Sequence, residues 1–268
     1  MGIIVSKLGH GFCWTQEQCG LVLRCSSLSK ISSHFVTTRG RSVGGATADR
    51  AWATIAKSIG LRSQRLIRVR QEHGRNIVVI RRSRSHSIMP YGTIGADAIV
   101  TDDPMIALGV RVADCVPILL CDPSTRTVGI VHAGWRGTSA GIAREVVCSM
   151  RDEFCVKPHE IIAVIGPSIG PCCYEVGEEV YKIFISAGYT KATLEKWFSW
   201  GKGTRCRLDL WRANRDQLVS LGVSDDRIHI AGLCTSERID LFYSHRREGN
   251  ADERFAAVIR VRSKNDGA

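Results

Sequence analysis

Residues 98–137 read AIVTDDPMIALGVRVADCVPILLCDPSTRTVGIVHAGWRG. Within this stretch, 98–101, 106–112, 116–121 and 127–131 are four apolar runs of strand length, separated by Asp, Pro and Ser/Thr turns. The strands follow one another directly, with no helix between them, which excludes a pure strand–helix–strand repeat. A helix is expected only afterwards, over 138–154, followed by a short buried strand at 161–165.

Working outward, 178–187 and 210–221 carry helical spacing, and 228–233 and 255–261 read as closing strands. On the N-terminal side, 48–60 has Trp52, Ile55, Ala56 and Ile59 on one helical face, with Gly60 as the stop. Two short runs, 66–70 and 77–80, read as strands around Gln71-Glu72-His73-Gly74. Residues 81–95 form an Arg/Ser-rich and then Pro/Gly-rich loop or insertion. Residues 1–33 read weakly, with a strand at 20–25 and a polar loop at 26–33. The pattern predicts an α+β fold, with mixed β-sheets layered with helices in a single domain. Residues 34–262 form its catalytic body, 1–33 a weakly defined N-terminal segment and 263–268 a tail.

The 268 residues suffice to bury a proper core, and no apolar run approaches the ~18 residues of a membrane span. No membrane partner is expected. The net charge of +11 comes from 28 Arg against 9 Lys. Neither zinc-finger spacing nor an aromatic-basic motif accompanies that charge, so nucleic acid is not expected as a partner. The eight Arg within 62–84 read as a solvated basic edge. The 11 Cys are odd in number and lack a repeating spacing, and no secretory signal precedes them. Free thiols in a reducing cytoplasm are the simplest expectation.

Three segments carry chemistry. They are Gln71-Glu72-His73-Gly74, Val112-Ala113-Asp114-Cys115-Val116-Pro117 and Val131-His132-Ala133-Gly134-Trp135-Arg136-Gly137. Each sets a side chain able to bind metal at the edge of a strand, where a rigid sheet can hold it. The glycines around Trp135-Arg136 admit close backbone approach, and the helix expected after Gly137 would offer an anion site beside Arg136. Spacing alone does not show that the segments meet. A core cysteine, a hydrogen-bonded structural histidine and a plain turn are the bland alternatives.

The strings Arg111-Val-Ala-Asp-Cys-Val-Pro-Ile-Leu-Leu, Val131-His-Ala-Gly-Trp-Arg-Gly-Thr and Gly166-Pro-Ser-Ile-Gly-Pro-Cys-Cys-Tyr-Glu-Val closely resemble the YfiH/YlmD family. Its members are known as laccase-type polyphenol oxidases and as purine nucleoside phosphorylases. Ser33-His34-Phe35, Thr38-Arg39-Gly40, Leu208-Asp209-Leu210, Cys234-Thr235 and Phe242-Tyr243-Ser244-His245 extend the likeness from about residue 33 to 260.

The resemblance implies one zinc on His73, Cys115 and His132. Three protein ligands with an open fourth position suit a catalytic zinc, and copper(II) can replace it in vitro. The resemblance also implies phosphorolysis of purine nucleosides, methylthioadenosine included, and deamination of adenosine. Purine nucleosides and phosphate are then the partners, in a monomer or homodimer.

The expected catalytic residues are Cys115, His132 and Asp114, the last orienting a ligand or merely bracing its loop. Arg39, Arg136 and Gln71 are the expected contacts to substrate or phosphate. Arg39 is the first choice for a phosphate clamp, because a guanidinium fork matches phosphate oxygens.

Rival readings remain. A four-copper oxidase needs many histidines in His-x-His pairs, whereas this chain has 8 His and no such pair. A metal-free cysteine hydrolase would use Cys115 with His132 or His73 as its base. A non-catalytic nucleoside-binding or wall-binding protein is the third reading.

Overall fold

The computed structural model describes residues 3–8, 11–84, 94–201, 205–249 and 252–262. Two large sheets stack face to face, as the mixed α+β pattern predicts. The first sheet runs in the order Ile3–Leu8, Phe12–Glu17, Gly20–Cys25, Ser32–Thr37, Phe255–Val261, Ala107–Val112, Leu66–Arg68. The second runs Ile228–Ile230, Ile162–Ile165, Val116–Asp122, Thr127–Ala133, Ala98–Thr101, Ile77–Ile80. Each sheet is antiparallel inside, and parallel pairs occur only at edges: Leu66–Arg68 with Ala107–Val112, Ile77–Ile80 with Ala98–Thr101, and Ile162–Ile165 with Ile228–Ile230.

Period-two alternation builds the layers. In Phe255–Val261, residues Phe255, Ala257, Ile259 and Val261 face the core between the sheets. They meet Leu119, Cys121, Val128 and Ile130 of the second sheet there. Ala256 and Val258 face the other way, against Trp52, Ile55 and Ala56 of the helix Ala48–Ser58. The second sheet likewise turns Val116, Ile118, Leu120 and Val131 toward the helices Ile142–Phe154, Glu178–Ser186, Lys191–Trp197 and Leu210–Ser220. Every residue of Val116–Asp122 and Thr127–Ala133 is buried. Strands covered on both faces are continuously apolar rather than alternating, and these were the clearest strands in the sequence.

The structure departs from the sequence reading in several places. Besides the expected strand Gly20–Cys25, residues before 33 add Ile3–Leu8 and Phe12–Glu17 to the first sheet, and the expected polar loop at 26–33 is one helical turn, Ser26–Ser29, leading into Ser32–Thr37. The closing strand from 228 is only Ile228–Ile230, and the short sheet Glu175–Gly177, Arg205–Leu208, Phe198–Trp200 went unread. Of the 81–95 loop, Arg82–Arg84 form a 3-10 turn, while 85–93 lie outside the described residues, as does the 263–268 tail. Among the described arginines of 62–84, three form ion pairs at the surface, and Arg68 is mostly buried. Arg70 meets Glu72, Arg75 meets Glu145 and Arg81 meets Glu153, while Arg68 lies over the Trp52 ring.

The helix expected at 138–154 is two helices, Trp135–Ser139 and Ile142–Phe154. Gly141 separates them in the left-handed region, with φ of 78°. A Cβ there would meet Arg144 Cβ at 3.8 Å and the Tyr189 hydroxyl at 3.9 Å, both ordinary van der Waals contacts. Substitution therefore tests the backbone strain alone. Gly141→Ala is expected to lower stability by roughly 1–2 kcal/mol, the cost of a left-handed conformation for a residue bearing Cβ. Urea unfolding should show a lower midpoint at unchanged slope, and an unchanged midpoint would contradict this account of the break.

Candidate metal centre

Three loops at one end of the stacked sheets supply the centre. His73 lies between Leu66–Arg68 and Ile77–Ile80, Cys115 between Ala107–Val112 and Val116–Asp122, and His132 near the end of Thr127–Ala133. Antiparallel pairing places His132 opposite Pro117 and Ala133 opposite Val116, which brings His132 to the loop holding Cys115. The ligand atoms of His73, Cys115 and His132 all lie within 4.8 Å of one another. The two imidazoles meet edge to face, with centroids 4.8 Å apart.

Asp97, which the sequence reading did not single out, ties two of these loops together. It is fully buried, and its Oδ1 accepts a hydrogen bond from His132 Nδ1 at 2.8 Å. The same carboxylate accepts the backbone N–H groups of Glu72, His73 and Gly74 at 3.2, 3.0 and 2.7 Å. Its carbonyl accepts the His132 N–H at 2.7 Å. Three successive amides aimed at one carboxylate need a tight bend, and His73 supplies it with a left-handed φ of 58°. A non-glycine residue in that region carries strain, which the surrounding bonds must hold in place.

These contacts set the electrostatics. Burial works against ionisation of Asp97, but His132 and the amides of Gly74 and His73 prevail and hold its carboxyl below the usual range. Burial also works against the Cys115 thiolate. His132 and His73 beside the sulfur outweigh it and lower the thiol to about 6. Burial disfavours His132 imidazolium, yet Cys115 and Asp97 together raise that imidazole to about 9.

The donor set fits a zinc ion. Zinc holds imidazole nitrogen at about 2.0–2.1 Å and thiolate sulfur at about 2.3 Å, so ligand atoms around it stand roughly 3.3–3.8 Å apart. The three atoms, all within 4.8 Å of one another, are close enough to be offered to one ion. With Nδ1 of His132 held by Asp97, Nε2 is left for the centre, the usual arrangement for a ligating histidine. Gly134 keeps the space clear, since a Cβ there would stand 2.9 Å from Cys115 Sγ and 3.4 Å from the His73 ring. His132 is buried, Cys115 half-buried and His73 exposed, so the centre opens to solvent on the His73 side. Two surface grooves of about 610 and 500 Å³ lie along Glu175 and Arg205, and none of the three residues lines them.

The other expected site residues have different partners. Asp114 is buried beside Cys115 with a φ of 85°. Its carboxylate accepts the Thr235 hydroxyl and the Arg246 backbone N–H, both at 2.6 Å, which is the loop-bracing role. Gln71 uses both ends of its amide on the backbone of Arg111, at 2.9 Å each. Arg39 donates to the Ile239 carbonyl and to Glu248 Oε1 at 2.8 Å, and lies over the Tyr243 ring. Arg136 is exposed, with its guanidinium 4.2 Å from the centroid of Trp135. Arg136 lies within the short helix Trp135–Ser139, which starts before Gly137 and is not the long helix expected as an anion site.

Residues 43–262 match the family described as multi-copper polyphenol oxidoreductase laccase. The chain belongs to the YfiH/YlmD family. The purine nucleoside phosphorylase YlmD of Geobacillus stearothermophilus is 36% identical over 208 residues, covering 76% of this chain and 75% of that one. The crystal structure of YlmD from that organism aligns with a TM-score of 0.80 at 28% identity, covering 98% of this chain and 100% of that one. A purine nucleoside phosphorylase of Bacteroides thetaiotaomicron is 37% identical over 62% of this chain, and the match spans 61% of that protein's length. The adenosine deaminase RL5, from an unknown prokaryotic organism, is 36% identical over 77% of this chain and 79% of that one.

Asp97 could have been suspected from its place in the YfiH/YlmD chain. It is an acidic residue set between alanines directly before the buried strand Ala98–Thr101, where a carboxylate must find partners. Asp97→Asn keeps the volume but brings an N–H₂ group against donors. It is expected to weaken zinc binding 10- to 100-fold, roughly the effect of losing such an orienting partner. Competition with a chromogenic chelator on folded protein measures this, and unchanged affinity would contradict the role given to Asp97.

Proposed function

We propose that this YfiH/YlmD-family protein is a zinc-dependent purine nucleoside phosphorylase that also deaminates adenosine and cleaves methylthioadenosine with phosphate. The observation carrying the proposal is the convergence of two imidazoles and one thiol within 4.8 Å, one imidazole oriented by a buried carboxylate. The names of the relatives, purine nucleoside phosphorylase and adenosine deaminase, supply the substrate class.

His73, Cys115 and His132 would hold the zinc, which when bound supplies Lewis acidity at its open coordination position. One thiolate and two neutral imidazoles would leave the centre with one positive charge, attractive to phosphate or to a purine heteroatom. The chain's own residues do the rest. Asp97 retains the Nδ1 proton of His132, keeping its Nε2 lone pair turned inward. Gly134 leaves room beside the sulfur, and Asp114 fixes the loop of Cys115 through Thr235 and Arg246. Arg136 is the better candidate for phosphate, because Arg39 is already paired with Glu248.

A polyphenol oxidase with several coppers is disfavoured by the donor set. Among the described residues, the centre offers only two histidines, and the one other metal-capable group has none. A second reading rests on a specific observation. Cys115, His132 and Asp97 also form the nucleophile–base–orienter series of a cysteine hydrolase, with the thiol already drawn down to about 6.

Chromatography of adenosine, inosine and methylthioadenosine incubations separates these readings. Phosphate-dependent release of free base, abolished by chelation and restored by zinc, is the expected result. Phosphate-independent conversion of adenosine to inosine would report the deaminase activity. Activity that survives chelation but is lost on alkylation of Cys115 would overturn the zinc reading. Arg136→Ala is expected to raise the KM for phosphate about tenfold, the loss of one charge-assisted contact, while leaving deamination unchanged.

A further inference from the structure

Cys172, Cys173 and Cys234 form a second sulfur cluster, which the proposed reaction does not use. Their three Sγ atoms lie within 4.8 Å of one another, and all three thiols are free. Two loops bring them together. Residues Gly166 to Tyr174 run beside residues Leu233 to Thr235, joined by Ser168 N–H to Leu233 carbonyl at 3.2 Å and Thr235 N–H to Ser168 carbonyl at 3.1 Å. The Gly170 N–H donates to Cys234 Sγ at 3.2 Å. Gly170 is cramped, since a Cβ there would stand 2.7 Å from the Trp211 ring and 3.2 Å from Cys172 Sγ. Cys234 is buried, Cys173 half-buried and Cys172 exposed, so the cluster is open on one side to an entering ion.

We propose that Cys172, Cys173 and Cys234 form a three-thiolate site for a soft monovalent cation, with copper(I) as the fitting class. Softness selects the ion, since thiolates favour copper(I), zinc and iron–sulfur clusters. Coordination number then narrows the choice. A structural zinc takes four protein ligands, and this group holds three among the described residues, with no histidine or carboxylate joining them. Three sulfurs suffice for copper(I).

Binding exchanges thiol protons for the cation, and the protons pass to solvent, with no change in oxidation state. A peroxide-sensing thiol fits less well. Such thiols have lowered pKa values, whereas burial first, and Cys234 beside them, push the Cys172 and Cys173 thiols up. The ion would also pin together the two loops that brace the reactive centre. Cys234 adjoins Thr235, whose hydroxyl holds Asp114, and the Ile169 N–H donates to the Asp114 carbonyl at 2.9 Å.

The test uses full-length Cys115→Ala protein, which removes the thiolate of the first centre. It is titrated anaerobically, with thiols reduced, against copper(I) held by a chromogenic chelator. The expected result is one copper(I) retained per chain, with sulfur-only coordination by X-ray absorption. Adding Cys172→Ser and Cys173→Ser, at the more accessible positions, should abolish retention while circular dichroism stays unchanged. Equal retention in both proteins, no retention in either, or retention of zinc in place of copper(I) would overturn the assignment.

Discussion

The hydrogen bond from His132 Nδ1 to Asp97 Oδ1 is the contact on which the arrangement of the centre depends. Asp97 is buried, so its charge must be met by donors inside the protein. Those donors are the imidazole of one expected ligand and the backbone amides around the other. One carboxylate therefore settles the ring orientation of His132 and the left-handed bend that presents His73. Cys115 is placed separately, through the braced Asp114 loop and the pairing of Val116–Asp122 with Thr127–Ala133.

The charges in this cluster are mutually dependent. A half-buried thiolate and a buried carboxylate face each other across His132, and either alone would be costly in a medium of low polarity. A shared proton on His132 satisfies both, as the raised imidazole and the lowered thiol describe. A divalent cation satisfies the thiolate more completely and leaves the Asp97–His132 bond in place. The same residues thus fit both a metal site and a nucleophilic pair, which is why chelation, rather than geometry, separates the two functional readings.

Legibility in the sequence followed burial. Val116–Asp122 and Thr127–Ala133 are covered on both faces, and their unbroken apolar runs made them plain. Phe12–Glu17 and Ser32–Thr37 were not readable as strands. Phe12–Glu17 pairs with its neighbours Ile3–Leu8 and Gly20–Cys25, whereas Ser32–Thr37 also pairs across the length of the chain, as in Val36 opposite Ala257, and local pattern carries no trace of such a partner. The metal-capable trio was legible because histidine and cysteine at strand ends are chemically conspicuous, although only the resemblance joined them. Asp97 escaped notice because its importance lies in what it accepts. Gln71, Asp114 and Arg39 were singled out from the sequence, and only three dimensions show their bonds to Arg111, to Thr235 and Arg246, and to Glu248.

The most direct test of the shared-ligand account is anomalous diffraction at the zinc absorption edge from crystals of the zinc-loaded protein. The account predicts a single strong peak within bonding distance of His73, Cys115 Sγ and His132 Nε2, with Nδ1 of His132 still bonded to Asp97. A peak displaced from that trio, or none there at full zinc loading, would contradict it.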